Sequence, residues 1–209
     1  MTNDKINLIF DCDGTLIDSY PAIADATRRL FLAHGVACDA EEIRGRALHT
    51  WLSRCIEDIA KENGLDPEMM LRDLSRFPEN PAMIRPMPHA DELLRCGRFR
   101  CFVYTHRGPG CRDIFTGLGM SDCFEEIVDS SYRFPRKPDG AGVGYLVEKY
   151  GLDRSGTYYV GDRSIDIECG LNAGTGTIFL RSSGLDIDCS RASFAVDDLK
   201  DIIGLPFPE

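Results

Sequence analysis

Long apolar runs are missing from this sequence. No stretch approaches the ~18 residues that a membrane-spanning helix requires, so no membrane partner is expected. The segment ahead of Asp11 carries one lysine and an apolar run too short for a signal-peptide core, which points to a cytoplasmic protein. Positive charge is also short: 24 Lys and Arg stand against 34 Asp and Glu, a net of −10. A chain this acidic repels a phosphate backbone, and no basic stripe offsets the repulsion, so nucleic acid is excluded as a partner. The nine cysteines are an odd number, and no two are spaced as Cys-x-x-Cys. A disulfide framework and a zinc knuckle are therefore not expected, and free buried thiols in a reducing compartment are. Repeats and low-complexity tracts are absent too. With 43% hydrophobic and 28% charged residues, the chain is neither disordered nor collagen-like nor a coiled coil.

The 209 residues amount to about 1.4 domains at a prior of ~150 residues each. Ile6 to Phe10 reads as a buried strand that stops at Asp-Cys-Asp-Gly-Thr. From Tyr20 to Arg76 the apolar spacing is helical, broken by Gly35, Gly64 and Pro67 into three or four helices. The segment 78–88 holds four prolines and reads as a stiff connector. Strand and helix then alternate: strands at 101–104, 126–128, 158–160, 177–180 and 194–196, with helices at 111–118, 142–150 and 165–172 and a last helix at the C-terminus. This grammar predicts an α/β protein with a Rossmann-like parallel sheet. Some seventy residues between the first strand and the rest are too long for a loop, so a helical cap is expected as an insertion after the first strand. The expected core is 1–16 with 84–209, and the cap 17–83. Nothing in the sequence chooses between monomer and dimer.

Chemistry concentrates where these strands end. Asp11 and Asp13, with Gly14 for a tight turn, follow the first strand, and a strand running on through them would point both carboxylates to one side. Two converging carboxylates repel unless a cation or a shared proton relieves them, and a hard oxygen site of this kind calls for Mg²⁺. Asp162 and Asp166 follow another strand, and their spacing of four suits one side of a helix's first turn. Thr105 can offer a hydroxyl and a backbone N–H, and Lys137 a cation for a bound anion. Carboxylates, hydroxyl, lysine and metal at four strand ends make a phosphoryl-transfer set. Taken singly, each has a plainer reading. Asp-Gly-Thr also makes turns, Thr105 and Lys137 also serve as a strand-end cap and a surface cation, and Asp166 also serves as a helix-start charge.

These four motifs, in this order and over nearly the whole chain, resemble the haloacid dehalogenase superfamily, specifically its capped phosphatase branch. The sequence is similar to the phosphoglycolate phosphatase and β-phosphoglucomutase-like group. The resemblance implies a Mg²⁺-dependent phosphatase for a small phosphorylated metabolite, a sugar phosphate or a phosphoglycolate-like ester. Asp11 is then the nucleophile and Asp13 the acid and base. Asp11, the Asp13 carbonyl and Asp162 hold the metal, with Asp166 a ligand through water or an orienting neighbour, and Gly14, Thr105 and Lys137 hold the phosphoryl group. Where relatives often place Asn after the threonine, this chain has His106 and Arg107, expected to line the substrate pocket. On the cap, Arg44, Arg46 and His49 suit an anionic substrate. Two other readings stay open: a sugar-phosphate mutase, which Thr15 disfavours, and a non-enzymatic phospho-Asp receiver, which the seventy-residue insert disfavours.

Overall fold

The computed structural model describes residues 5–208 other than Ser183 and Leu185. The chain divides into two compact units, one of residues 1–17 and 86–209, the other of 18–85. Among the described residues no helix is long and apolar enough to cross a membrane.

The first unit is built on six strands: β1 (Ile6–Phe10), β4 (Phe99–Tyr104), β5 (Glu126–Val128), β6 (Thr157–Gly161), β7 (Gly176–Leu180) and β8 (Phe194–Val196). Every pairing is parallel, in the order β5-β4-β1-β6-β7-β8. Sheets of this kind are covered on both faces, which is why β1, β4 and β6 read as near-continuous apolar runs. Helices α5 (Ala90–Arg95), α6 (Cys111–Gly117), α7 (Ala141–Tyr150) and α8 (Ser164–Asn172) connect the strands. Ile9, Phe102, Tyr104, Val128 and Tyr159 form one core with Val143, Leu146 and Val147 of α7 and Cys169 of α8. Each large apolar side chain buried there contributes about 1.5–3 kcal/mol. The chain goes from β1 to β4 and β5 on one side, then returns across β1 to β6 and β7. Winding in such sheets reverses at a crevice beyond the carboxyl ends of the central strands, the usual ligand position. Register places Phe10 opposite Val103 and Val160, so Asp11, Thr105 and Asp162 follow at neighbouring strand ends.

The second unit holds α1 (Tyr20–Ala33), α2 (Ala40–His49), α3 (Leu52–Glu62) and α4 (Pro67–Asp73). Its own core gathers Leu30, Phe31, Ile43, Ile56, Ile59 and Met70. The Asp39 carboxylate caps α2 by accepting the Glu41 and Glu42 N–H groups, and Arg46 and His49 occupy its last turn, where the helix dipole favours cations.

Four expectations need correction. The first strand does not continue through the Asp-x-Asp motif: it ends at Phe10, and the Leu16 and Ile17 N–H groups turn back onto the Cys12 carbonyl. The proline-rich 78–88 segment is not wholly a connector, because Pro81–Met83 forms a 3₁₀ turn and β3 (Arg85–Pro86) pairs with β2 (Ile17–Asp18). Asp162 is not on a helix turn; it precedes α8, whose first residue is Ser164. The C-terminal helix is a run of 3₁₀ turns, Leu199–Gly204, capped by the Asp198 carboxylate.

Candidate active site

Asp11 is positioned by one further ladder bond beyond β1, its N–H donating to the Val160 carbonyl at 2.8 Å. The turn after it needs a left-handed residue, and Gly14 supplies it with φ 77°. Ser182, beyond β7, donates its hydroxyl to the Gly14 carbonyl at 2.7 Å and pins this turn. Ligand oxygens of Asp11, Asp162 and Asp166 all lie within 4.8 Å of one another, and all three residues are buried. Lys137 reaches in from the loop before α7. Its Nζ is 2.7 Å from Asp11 Oδ1 and 2.9 Å from Asp166 Oδ1, with the Tyr159 and Tyr104 rings 5.2 and 5.7 Å away.

Asp166 is held from two directions. Oδ1 accepts from Lys137, and Oδ2 accepts the Arg163 N–H at 3.1 Å, the capping geometry that starts α8. Close approach requires Gly161: a Cβ there would lie 2.3 Å from Asp166 Cβ. Asp162 is fully buried. Its Oδ1 accepts the Thr15 hydroxyl at 3.2 Å, while its Oδ2 has no hydrogen-bond partner. An orphaned carboxylate oxygen costs several kcal/mol of desolvation unless a cation or proton meets it.

The charge balance makes the same point. Three clustered buried carboxylates share one ammonium, which contacts Asp11 and Asp166. Burial pushes the Asp11 carboxyl up to about 6, against the pull of Lys137 and with the Asp166 charge adding to the rise. Burial, with the Asp166 and Asp11 charges, raises Asp162 well above the carboxylate range. Burial works against the charge of Lys137, yet the Asp11 and Asp166 carboxylates outweigh it and hold the ammonium above its ordinary value. Hard oxygen donors with surplus negative charge suit a divalent cation such as Mg²⁺ or Ca²⁺.

The Asp13 carboxylate stands apart from this cluster, with Oδ1 accepting from Arg107 Nε at 2.6 Å. Thr105 ends β4. Its N–H is spent on the Val128 carbonyl, so it offers a hydroxyl alone to a ligand, contrary to the expectation of both groups. That hydroxyl oxygen accepts the Arg107 N–H at 3.1 Å. His106 Nε2 accepts the Lys137 N–H at 3.0 Å, and its ring stands edge-on to Tyr104. On the second unit, Arg46 bridges Glu42 and Glu62, each at 2.8 Å, and Arg44 faces Glu41 at 3.5 Å. His49 and Arg46 line a cleft of about 670 Å³ between α2 and α3. Thr15, Ser182 and Tyr159 support the site without having been singled out as site residues. Their partners lie 55 to 168 residues away in the chain, so no local pattern reveals them.

Two consequences are measurable. Groups that orient a metal-binding carboxylate typically govern affinity by about 10–100-fold, so if Asp162 holds a divalent cation, Thr15→Val should weaken its binding by that order in calorimetric titration with Mg²⁺. Affinity within about 2-fold of the parent contradicts the assignment. For His106, burial and the charges of Lys137, Arg136 and Arg163 lower the imidazole to about 4. Between about pH 4 and 6.5 the unfolded chain then binds the extra proton, so this contribution is complete above 6.5 and is lost as pH falls toward 4. Asp11, being raised, works oppositely in part of that window. The His106 share is therefore read as a difference: Tm of the parent should fall relative to His106→Asn as pH drops from 6.5 to 4, and parallel curves contradict it.

A family model for haloacid dehalogenase-like hydrolases matches residues 8–180. The chain is 29% identical over 203 residues to the N-acetylmuramic acid 6-phosphate phosphatase of Pseudomonas aeruginosa, covering 93% of this chain and 89% of that protein. It is 25% identical over 221 residues to the phosphoglycolate phosphatase of Vibrio parahaemolyticus, covering 97% of each. Its fold matches the crystal structure of a predicted phosphoglycolate phosphatase from Haemophilus somnus with a TM-score of 0.82 at 21% identity, over 98% of this chain and 99% of the other. With the family model spanning both the Asp11 turn and the strand that precedes Asp162, this chain belongs to the haloacid dehalogenase-like hydrolases.

Proposed function

We propose that this chain is a Mg²⁺-dependent phosphatase that hydrolyses a small phosphomonoester, phosphoglycolate or a sugar phosphate, through a phosphorylated Asp11. The observation that carries the reading is the buried set of Asp11, Asp162 and Asp166 around Lys137, with one oxygen of Asp162 unsatisfied. The names of the relatives support the substrate class. Asp11, Asp162, Asp166 and the Asp13 carbonyl would hold the cation, which supplies charge neutralisation at the phosphoryl oxygens. Asp11 attacks phosphorus, and the bond to the leaving oxygen breaks while Asp13 gives that oxygen a proton. A water then attacks the phosphorus and gives its proton to Asp13, freeing Asp11 and inorganic phosphate. The Thr105 hydroxyl donates to a phosphoryl oxygen, and Lys137 turns its charge toward the group as it arrives. A cytoplasmic setting fits nine unpaired cysteines.

The experiment is a panel of phosphate esters containing phosphoglycolate, glucose 6-phosphate, N-acetylmuramic acid 6-phosphate and p-nitrophenyl phosphate, with Mg²⁺ and with EDTA. Turnover of at least one ester is expected, with EDTA lowering it by about 10²-fold or more and Mg²⁺ restoring it. Equal rates with EDTA contradict the metal requirement. Conversion of β-glucose 1-phosphate to the 6-phosphate without phosphate release makes the protein a mutase, and stable phosphorylation without turnover makes it a receiver.

A further inference from the structure

Arg107 is tied to the site three times. Its Nε donates to Asp13 Oδ1 at 2.6 Å, in a pair whose side chains are 14% and 26% exposed. Its N–H donates to the Thr105 hydroxyl oxygen at 3.1 Å, and its carbonyl accepts the Ser130 N–H at 2.8 Å. Ser130 follows Asp129, whose buried carboxylate also accepts the Ser131 N–H and hydroxyl, so the backbone of Arg107 rests on an ordered turn. One residue therefore orients two groups that come from different strand ends, 94 residues apart for the Asp13 pair.

We infer that Arg107 is the positioning residue for Asp13 rather than a substrate contact. Its guanidinium holds one carboxyl oxygen so that the other carries the proton in both half-reactions. This rests on the acid–base role given to Asp13 above. A carboxyl on a single χ2 torsion swings freely, and the short charge-assisted contact from Arg107 Nε to one oxygen restrains that rotation. The fixed oxygen keeps the carboxyl from rotating while the proton passes to the leaving oxygen and while a proton returns from water. Through its main chain the same residue sets the Thr105 hydroxyl, so the phosphoryl contact and the proton donor keep one spacing. Lysine at this position keeps a charge but loses the fixed direction of the Nε–H donor.

The inference has a signature that a substrate contact lacks. An alkoxide leaving group needs its proton in the transition state, whereas p-nitrophenolate departs without one. Positioned acid–base groups are worth about 10²–10⁴-fold, so Arg107→Ala should lower the phosphoryl-transfer rate, read in a single turnover, by about 10²-fold on phosphoglycolate and glucose 6-phosphate. On p-nitrophenyl phosphate the loss in the phosphoryl-transfer burst should stay within about 3-fold, with KM nearly unchanged on all three. Asp13→Asn should show the same split, and the double variant should be no worse than Asp13→Asn alone. Arg107→Lys, which keeps the charge, should show the same pattern more weakly and guards against a folding defect in the alanine variant. A rise in KM confined to phosphoglycolate overturns the inference and makes Arg107 a carboxylate contact. Equal losses in the phosphoryl-transfer burst on all three esters overturn it too, as does additivity in the double variant. Should Asp13→Asn retain full activity on the alkyl esters, the acid–base role fails. Should Asp13→Asn be impaired while Arg107→Ala is not, only the placement of Arg107 fails.

Discussion

Asp11→Asn is expected to abolish turnover, by roughly 10⁴-fold or more, while leaving the protein as stable as its parent or more so. The two effects have one origin. Asp11 sits among two other buried carboxylates, and burial with the Asp166 charge pushes its carboxyl up to about 6. Its ionised form is therefore costly in the folded chain, and a neutral amide of the same shape removes that cost. Lys137 keeps Asp166 as a partner at 2.9 Å, so no ammonium is left bare. What disappears is the proposed nucleophile, because an amide nitrogen or oxygen cannot form the phosphorylated intermediate. Phosphate release over the ester panel measures the first effect, and thermal unfolding in EDTA the second. Residual activity above about 1% of the parent rules out Asp11 as the nucleophile. A Tm several degrees lower contradicts the electrostatic account.

Lys137→Met should act in the opposite sense on stability. The ammonium offsets two of three buried carboxylates at 2.7 and 2.9 Å, and methionine matches its length without its charge. Breaking a buried ion pair by removing one partner costs about 3–5 kcal/mol, since the remaining charge stays buried. At roughly 2–4 °C per kcal/mol for a chain of this size, Tm should fall by about 6–20 °C without metal. The sign of the pH dependence follows from the carboxylates. Without Lys137 the folded pKa of Asp11, already raised by burial, rises further above the unfolded one, so the native variant binds more protons than its unfolded chain and loses stability as pH increases. The gap to the parent should therefore widen from pH 5 to pH 8. Added Mg²⁺ should narrow it, because a divalent cation replaces part of the missing charge. A Tm gap that is constant with pH, or insensitive to Mg²⁺, contradicts the arrangement. Activity should fall as well, since the cation proposed to meet the phosphoryl group is gone.

These two residues also mark how far linear patterns reach. Asp11 was legible because a short apolar strand runs directly into two aspartates and a glycine, a local pattern with a local cause. Lys137 was legible only through its order among four motifs, and nothing near it in the chain foretold a side chain buried between two carboxylates and two tyrosine rings. Short apolar runs and helical spacing located the strands and helices of the sheet closely, because a strand covered on both faces must be apolar throughout and a helix only along the stripe it buries. Spacing misplaced Asp162 onto a helix, since a separation of four describes a helix only if both residues lie within it. Here α8 begins at Ser164.

By itself, then, the sequence determined the parallel α/β sheet, the helical insertion and the identity of the acidic residues at the strand ends. Each of these follows from hydrophobic periodicity and turn chemistry acting over a few residues. The tertiary structure alone decided how those residues are used. It spends the Thr105 N–H on Val128, turns His106 onto the Lys137 backbone, sets Thr15 against Asp162 and leaves the other Asp162 oxygen unsatisfied. It also pairs Arg107 with the Asp13 carboxylate. The physical reason is that hydrogen bonds and ion pairs act over about 3 Å whatever the chain separation. Parallel strands bring residues 94 to 150 positions apart to that distance, and no local pattern in the sequence records which of them will meet.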